Sequence, residues 1–203
     1  HPQGHLNEHS LEVQLPFLQV ALGANPLLVP VVMGTSDYTS AMLLADALVP
    51  VVRKYNVLIV VTSDLSHYHE YAQAKELDAE TCRLISTGQA QPLNRHFHRG
   101  GEACGRGPLL TALLLGERMG WNPPRLAAYA NSGDTVGDKQ KVVGYGAFIV
   151  TGTDRSQDED ERAFFNRSER AMLSSRVRAA LEQGIGGDGF AFLPDPKTPA
   201  LDV

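Results

Sequence analysis

The sequence predicts an α/β fold, a mixed sheet flanked by helices, on three observations. Residues 56–61 (NVLIVV) are apolar and largely β-branched on both faces, as in a buried central strand. Residues 109–119 form a strongly apolar helical stretch of the kind that covers such a sheet. Around these two, strand-like and helix-like segments alternate, which is the pattern of a layered α/β sheet. With 203 residues the chain is long enough for one domain with a sizeable core and part of a second.

The elements follow in order. Leu11, Leu15, Leu18 and Leu22 recur at helical spacing behind the candidate N-caps Asn7 and Ser10. Pro16 falls inside that pattern and predicts a kink or a late helix start. Residues 27–33 are a short apolar run, read as a strand whose Pro30 places it near an edge or bulge. A helix is expected over 38–54, then the 56–61 strand with Thr62-Ser63-Asp64 at its carboxyl end. Residues 71–86 and 89–97 read as helices, and Gly100-Gly101 breaks the pattern. Gly105-Arg106-Gly107-Pro108 opens the apolar helix, with Pro108 acceptable in its first turn. Strands are expected at 125–131 and 142–151.

Beyond them the character changes. Residues 154–162 hold five acids, two Arg and no apolar residue, and read as a solvated linker. Past it, Asn166 and Ser168 can cap a helix whose Met172, Leu173, Val177, Ala180 and Leu181 form one stripe. A lone amphipathic helix has no partner of its own, so it reads as the start of a second domain. The expected organisation is a first domain over 1–152, a linker over 153–165 and a second unit begun within 166–203.

Composition narrows the function. Hydrophobic residues at 43% and charged residues at 20% exclude a wholly disordered chain. Eighteen Lys and Arg against 23 Asp and Glu leave a net charge of −5, which argues against a nucleic-acid partner or an anionic membrane surface. No apolar run approaches the roughly 18–20 residues that span a bilayer. The first residues, His1-Pro2-Gln3, read as an interior stretch of a longer reading frame. Two cysteines in unlike contexts, Cys82 and Cys104, imply a reducing, cytoplasmic compartment.

Four places can carry chemistry. Ser63-Asp64-Leu65-Ser66-His67-Tyr68-His69 follows the expected central strand, where sites gather in open α/β sheets. Asp64 and His67 are close enough in sequence to form an acid–base pair. The bland alternative is that Asp64 and Ser66 cap the next helix, with His69 a surface residue at its start. Cys104 stands just before a helix N-terminus, where the helix dipole favours an anion, so it reads as a thiolate ligand or nucleophile. Flanking glycines allow close backbone approach there, and a small buried cysteine in a tight turn is the alternative. Cys82 is read as core. Glu8-His9 suggests a ligand or proton relay, with Glu8 as a helix cap the simpler account. Tyr129–Lys139 is a polar Gly/Asp loop that can orient a substrate through backbone amides, or simply turn a hairpin. His96 and His98 read as a solvated face. The Tyr129–Lys139 loop contains neither a P-loop nor GxGxxG, and the chain contains no GxSxG elbow and no CxxC motif.

Taken together and in register, EHSLEVQLPFLQ (8–19), TSDLSHY (62–68), CGRGPL (104–109), YANSGDTVGDK (129–139) and VVGYGAF (142–148) resemble the Memo family, in the form associated with the AmmeMemoRadiSam system. NRSERAMLSSRVRAAL (166–181) is similar to the opening helix of an AMMECR-type domain, which some members carry fused behind Memo. The resemblance implies a fold like the class III extradiol dioxygenases. It implies an iron or copper site formed by two upstream histidines and Cys104, with Asp64 and His67 lining the same pocket as acid–base groups. The histidine-bearing strands that precede EHS in the family are absent from this sequence, so the resemblance implies a chain that begins partway into the domain. Such a chain, lacking neighbours for its 56–61 strand, is expected to fold poorly alone. Substrate contacts are expected from Glu8, His9, Arg106, Asn131 and Asp134. The resemblance further implies a metal-dependent, dioxygenase-like or redox protein acting beside a radical-SAM protein. The alternative is a non-catalytic module that captures a peptide or small ligand in the same pocket.

Overall fold

The computed structural model describes residues 8–22, 27–135, 137–152 and 190–192. The expected linker and the helix over 168–181 lie outside the described residues. The described chain falls into two compact units, one up to Leu58 together with 190–192, the other starting at Ile59.

In the first unit a short turn of 3-10 helix, Glu12–Gln14, leads into helix α1, Leu15–Leu22. The helix thus starts late, with Pro16 in its first turn where the missing amide costs nothing. Ser10 does not cap it. Instead the Ser10 amide donates to Glu8 Oε1 at 2.7 Å, and the Ser10 hydrogen bonds hold the Glu8 carboxyl below its ordinary range. Strand β1, Val31–Met33, is shorter than the apolar run and pairs antiparallel with β5, Phe190–Phe192. Leu44 and Val51 of helix α2, Tyr38–Lys54, and Tyr55 just after it are buried with Val29, Val31, Met33, Leu48 and Val57 packed against them.

Asp37 caps α2. Its Oδ1 accepts the Ser40 amide at 2.9 Å, and its Oδ2 accepts the Ser40 and Thr35 hydroxyls, each at 2.6 Å. Those hydroxyls, Ser40 first, hold its pKa at about 2. The folded carboxyl is therefore a stronger acid than the unfolded one. Its contribution is present above pH 3.8, the ordinary value, and is lost as pH falls toward 2. Asp37→Ala is expected to cost about 1 kcal/mol at neutral pH. Acid titrations of wild type and variant should converge below that window.

Residues 56–61 are not a strand, contrary to the expectation from their composition. Leu58 is 70% exposed and Val60 45% exposed, and no ladder partner lies beside them among the described residues. A β-branched run becomes a strand only where neighbouring backbone accepts its hydrogen bonds, because β-propensity is mostly a matter of packing context.

The second unit is a three-stranded sheet with three helices. Strands β2 (His67–His69), β3 (Arg125–Asn131) and β4 (Val142–Ile149) lie in the order β2-β4-β3, and every described ladder is antiparallel. Helices α3 (Tyr71–Ile85), α4 (Ala90–His98) and α5 (Arg106–Met119) form near their expected positions. They bury Ala74, Cys82, Ile85, Leu93, Leu110 and Leu115. A fully buried Leu of this kind contributes roughly 1.5–3 kcal/mol. Strand β2 was not expected. It places His69 in a ladder rather than at a helix start, where a surface position was expected.

His96 also departs from its expectation. It is half-buried, with Nε2 2.9 Å from Thr81 Oγ1, and burial pushes its pKa below the ordinary value. His98 is exposed, as a solvated face requires.

Candidate functional site

The Thr62–Tyr68 segment is held by its own backbone. Four consecutive amides each donate to a different, distant residue of the second unit. Asp64 N–H goes to Cys104 Sγ at 3.1 Å, Leu65 N–H to Gly144 O at 2.8 Å, Ser66 N–H to Asp78 Oδ1 at 2.9 Å, and His67 N–H to Glu102 Oε2 at 3.2 Å. Backbone donors withdrawn from water must find acceptors, and each amide here finds one at long range. The loop is thereby tied to α3, to β4 and to the α4–α5 connection at once.

The two segments that the sequence singled out separately meet in this loop. Cys104 N–H donates to Asp64 O at 3.2 Å while Cys104 Sγ accepts from Asp64 N–H, a reciprocal contact. Ser63 Oγ, 3.7 Å from Cys104 Sγ, accepts Gly105 N–H at 2.8 Å. Gly105 is required at this crossing. A Cβ there would lie 2.7 Å from Ser63 Cβ and 2.9 Å from Thr62 O. The close approach expected of this glycine is thus made against the Thr62–Ser63 backbone and side chain.

Both bland alternatives for these segments fail. Helix α3 begins at Tyr71 with Glu70 at its N-cap, so neither Asp64 nor Ser66 caps it. Cys104 is exposed rather than buried. Asp64 Oδ2 lies 3.6 Å from His67 Nε2, beyond hydrogen-bond distance and an ion pair only when the ring is protonated, with both side chains partly open to solvent. Sulfur, carboxyl and imidazole therefore share one accessible edge of the unit.

The remaining expected contacts have local partners. Arg106 is the first residue of α5 and lays its guanidinium over the Phe97 ring at 5.3 Å. Asn131 is buried and accepts the Gly133 amide, while Asp134 accepts the Asn131 amide and the Tyr71 hydroxyl. Tyr71 chiefly, then the Asn131 amide, holds the Asp134 carboxyl below its ordinary range. This loop joins the antiparallel strands β3 and β4, so its polar residues shape a hairpin connection. Glu8 and His9 lie in the first unit. His9 Nδ1 is 2.7 Å from Glu12 Oε1, both largely exposed.

Sequence reasoning missed two carboxyl groups. Asp78 is fully buried in α3 and accepts both the Ser66 amide and the Tyr129 hydroxyl, the latter at 2.8 Å. Burial first, then this bond, raises the Tyr129 pKa. Glu102 accepts the His67 amide and sits 2.9 Å from His69 Nε2. Burial alone would raise the Glu102 carboxyl, but the hydrogen bonds from His69 and His67 outweigh it and hold it below its ordinary range. Neither has a motif. The available signal for Glu102 was its place two residues before Cys104.

The donors present do not by themselves fit a metal ion. Among the described residues no three His, Cys, Asp or Glu side chains converge as ligands. The site offers one exposed thiol and an imidazole already facing a carboxyl group. Cys104 is exposed while Cys82 is buried, and burial and then the Asp78 charge push the Cys82 thiol up to about 11. One thiol per folded chain, Cys104, should therefore react rapidly with an aromatic disulfide reagent, and the second only after unfolding. Equal rates for both would contradict the placement of Cys82. Among the described residues, no helix is long and apolar enough to cross a membrane.

Comparison with known proteins follows the same segments. Residues 1–149 match the Memo family, described as Memo-like protein. The chain is similar to MEMO1 family proteins of Methanosarcina mazei (37% identity over 150 residues, 72% of this chain and 56% of the relative) and Aeropyrum pernix (38% over 151 residues, 73% and 53%). A MEMO1 family protein of Methanosarcina acetivorans is 37% identical over 153 residues, covering 72% of this chain and 56% of its own. The chain thus spans about half the length of these curated relatives.

Proposed function

The chain belongs to the Memo family, and on that premise we propose that it is part of a metal-dependent, dioxygenase-like or redox protein for which Cys104 supplies a thiolate and Asp64 and His67 handle protons. The observation that carries the reading is the four-amide anchoring of Asp64–His67, which brings the carboxyl, the imidazole and the Cys104 sulfur to one accessible edge. A loop fixed at every successive amide keeps reactive groups in register, which is what positioning for catalysis demands.

A soft thiolate combined with imidazoles suits iron or copper. Since the described donors do not close a metal site, the two further imidazoles belong to the proposal and not to the described geometry. The chain's own residues have these roles. His67 takes or gives a proton at Nε2, Asp64 stabilises the charged ring from 3.6 Å, and Cys104 presents its sulfur beside them. Arg106, Asn131, Asp134, Glu8 and His9 are proposed substrate contacts, of which Arg106 begins the helix behind Cys104. The AmmeMemoRadiSam context, a radical-SAM partner, a fused AMMECR-type domain and a cytoplasmic location complete the proposal. The two free cysteines accord with a reducing compartment.

The experiment is metal analysis of the full-length gene product and of its Cys104→Ser variant. A metal protein loses iron or copper with the sulfur. A ligand-binding module of the same pocket holds none in either form, and that result would displace the proposal.

A further inference from the structure

Tyr68 stands in the left-handed region at φ 62°, the one non-glycine residue among those described to do so. Its side chain is 72% exposed, so burial of the ring does not compensate the strain. A residue with a Cβ persists there only when its surroundings over-determine it. Those surroundings are the two flanking histidines. His67 donates its amide to Glu102 Oε2 at 3.2 Å, and His69 Nε2 lies 2.9 Å from Glu102 Oε1. One carboxyl group therefore grips the chain on both sides of Tyr68.

Between the same two histidines the ladder with β4 slips, His67 pairing with Val143 and His69 with Val142. In an unbroken strand, residues two apart stand on one face. Here the irregularity separates them, as a bulge does when it re-aims a side chain. The His67 ring faces Asp64 Oδ2 at 3.6 Å, while the His69 ring faces Glu102. We propose that Glu102 is a positioning residue: by holding the His67 amide and the His69 ring it enforces the left-handed turn at Tyr68, and so keeps the His67 ring beside Asp64. The inference rests on the reading of Asp64 and His67 as the proton-handling pair.

The test is nitrogen-15 NMR of the His67 ring in the wild-type chain, Glu102→Gln, Glu102→Ala and the double variant Glu102→Ala/Tyr68→Gly. Both single variants should lose the ring-nitrogen shifts that mark the Asp64 contact, because Ala removes the carboxyl group and Gln keeps its volume but turns one of the two oxygens that hold His67 and His69 into an NH2 donor. The double variant should regain them, since glycine adopts positive φ without strain. A purely structural role for Glu102 would not be rescued by a glycine placed between the two clamped histidines. Unchanged His67 shifts in either single variant, or a double variant that does not recover, would overturn the inference. Glu102→Gln supplies the answer if the Ala variant does not fold. Failure of the pair itself reads differently: Asp64→Asn would leave the His67 ring shifts unmoved, while the amide coupling of Tyr68 still reports whether Glu102 sets the turn.

Discussion

Replacing Gly144 by Ala is expected to unfold the second unit or to remove most of its stability. Gly144 lies in β4 with its amide donating to Ser66 O at 3.0 Å and its carbonyl accepting Leu65 N–H at 2.8 Å, so its backbone cannot withdraw. A Cβ there would overlap the Asp78 carboxyl group, which is itself fully buried. Displacing that carboxyl leaves two donors, the Ser66 amide and the Tyr129 hydroxyl, without their acceptor. Each unsatisfied buried donor costs about 1–3 kcal/mol, so the loss is roughly 2–6 kcal/mol before any steric strain. Against a total of about 5–15 kcal/mol for a folded domain, that is a large fraction. Asp78→Ala should lose a comparable amount by the same route. Because it also clears the space a Cβ needs, the double variant Asp78→Ala/Gly144→Ala should be much less destabilised than the sum of the two. Urea denaturation of the four proteins measures this cycle. Strict additivity, or a Gly144→Ala variant as stable as wild type, would show that Asp78 and Gly144 do not meet as described.

Cys104→Ser is expected to have the opposite profile, a small effect on folding and a complete one on function. The sulfur is exposed, so little apolar burial is lost. A serine oxygen can still accept an amide hydrogen bond in the place where Sγ accepts Asp64 N–H, and Ser63 and Gly105 keep their own contact. The change in stability should therefore stay below about 1 kcal/mol, as for most exposed substitutions. On the proposed function, what is lost is the soft donor, which an alcohol does not replace for iron or copper. A variant that melts with the wild type yet holds no metal separates the chemistry of the sulfur from its packing.

The parts of the fold legible in the sequence were those fixed by short-range pattern. Helix α2 occupies Tyr38–Lys54 as its periodicity predicts, and α5 opens with Pro108 in its first turn. The run at 56–61 misled because its apolar, β-branched character shows only that it suits a strand, while a strand exists through its neighbours. Strand β2 went unseen for the complementary reason. His67–His69 is short and polar, and only the ladder with β4 and the contact to Glu102 define it.

The site divides in the same way. The Asp64–His67 and Cys104 segments carried their own signals, a carboxyl beside an imidazole and a thiol before a helix, and the structure joins them through the Asp64 amide. The groups that hold them were invisible. Asp78 lies on α3, 12 residues beyond Ser66, and Glu102 lies 35 residues beyond His67. An acidic residue on a helix or in a loop looks like surface until the fold shows an amide pointing at it. Tyr68 gave no sign either, since positive φ is expected of glycine and asparagine rather than of an aromatic residue.

The most direct test of the central claim is the visible difference spectrum of the full-length gene product on adding Cu(II), recorded beside the Cys104→Ser variant. If Cys104 is the thiolate donor of a redox-metal site, the wild type should develop a sulfur-to-copper charge-transfer band that the variant lacks, with both proteins melting alike. Identical spectra in the two proteins would contradict it, and the Asp64–His67 edge would then be read as a ligand-binding surface without a metal.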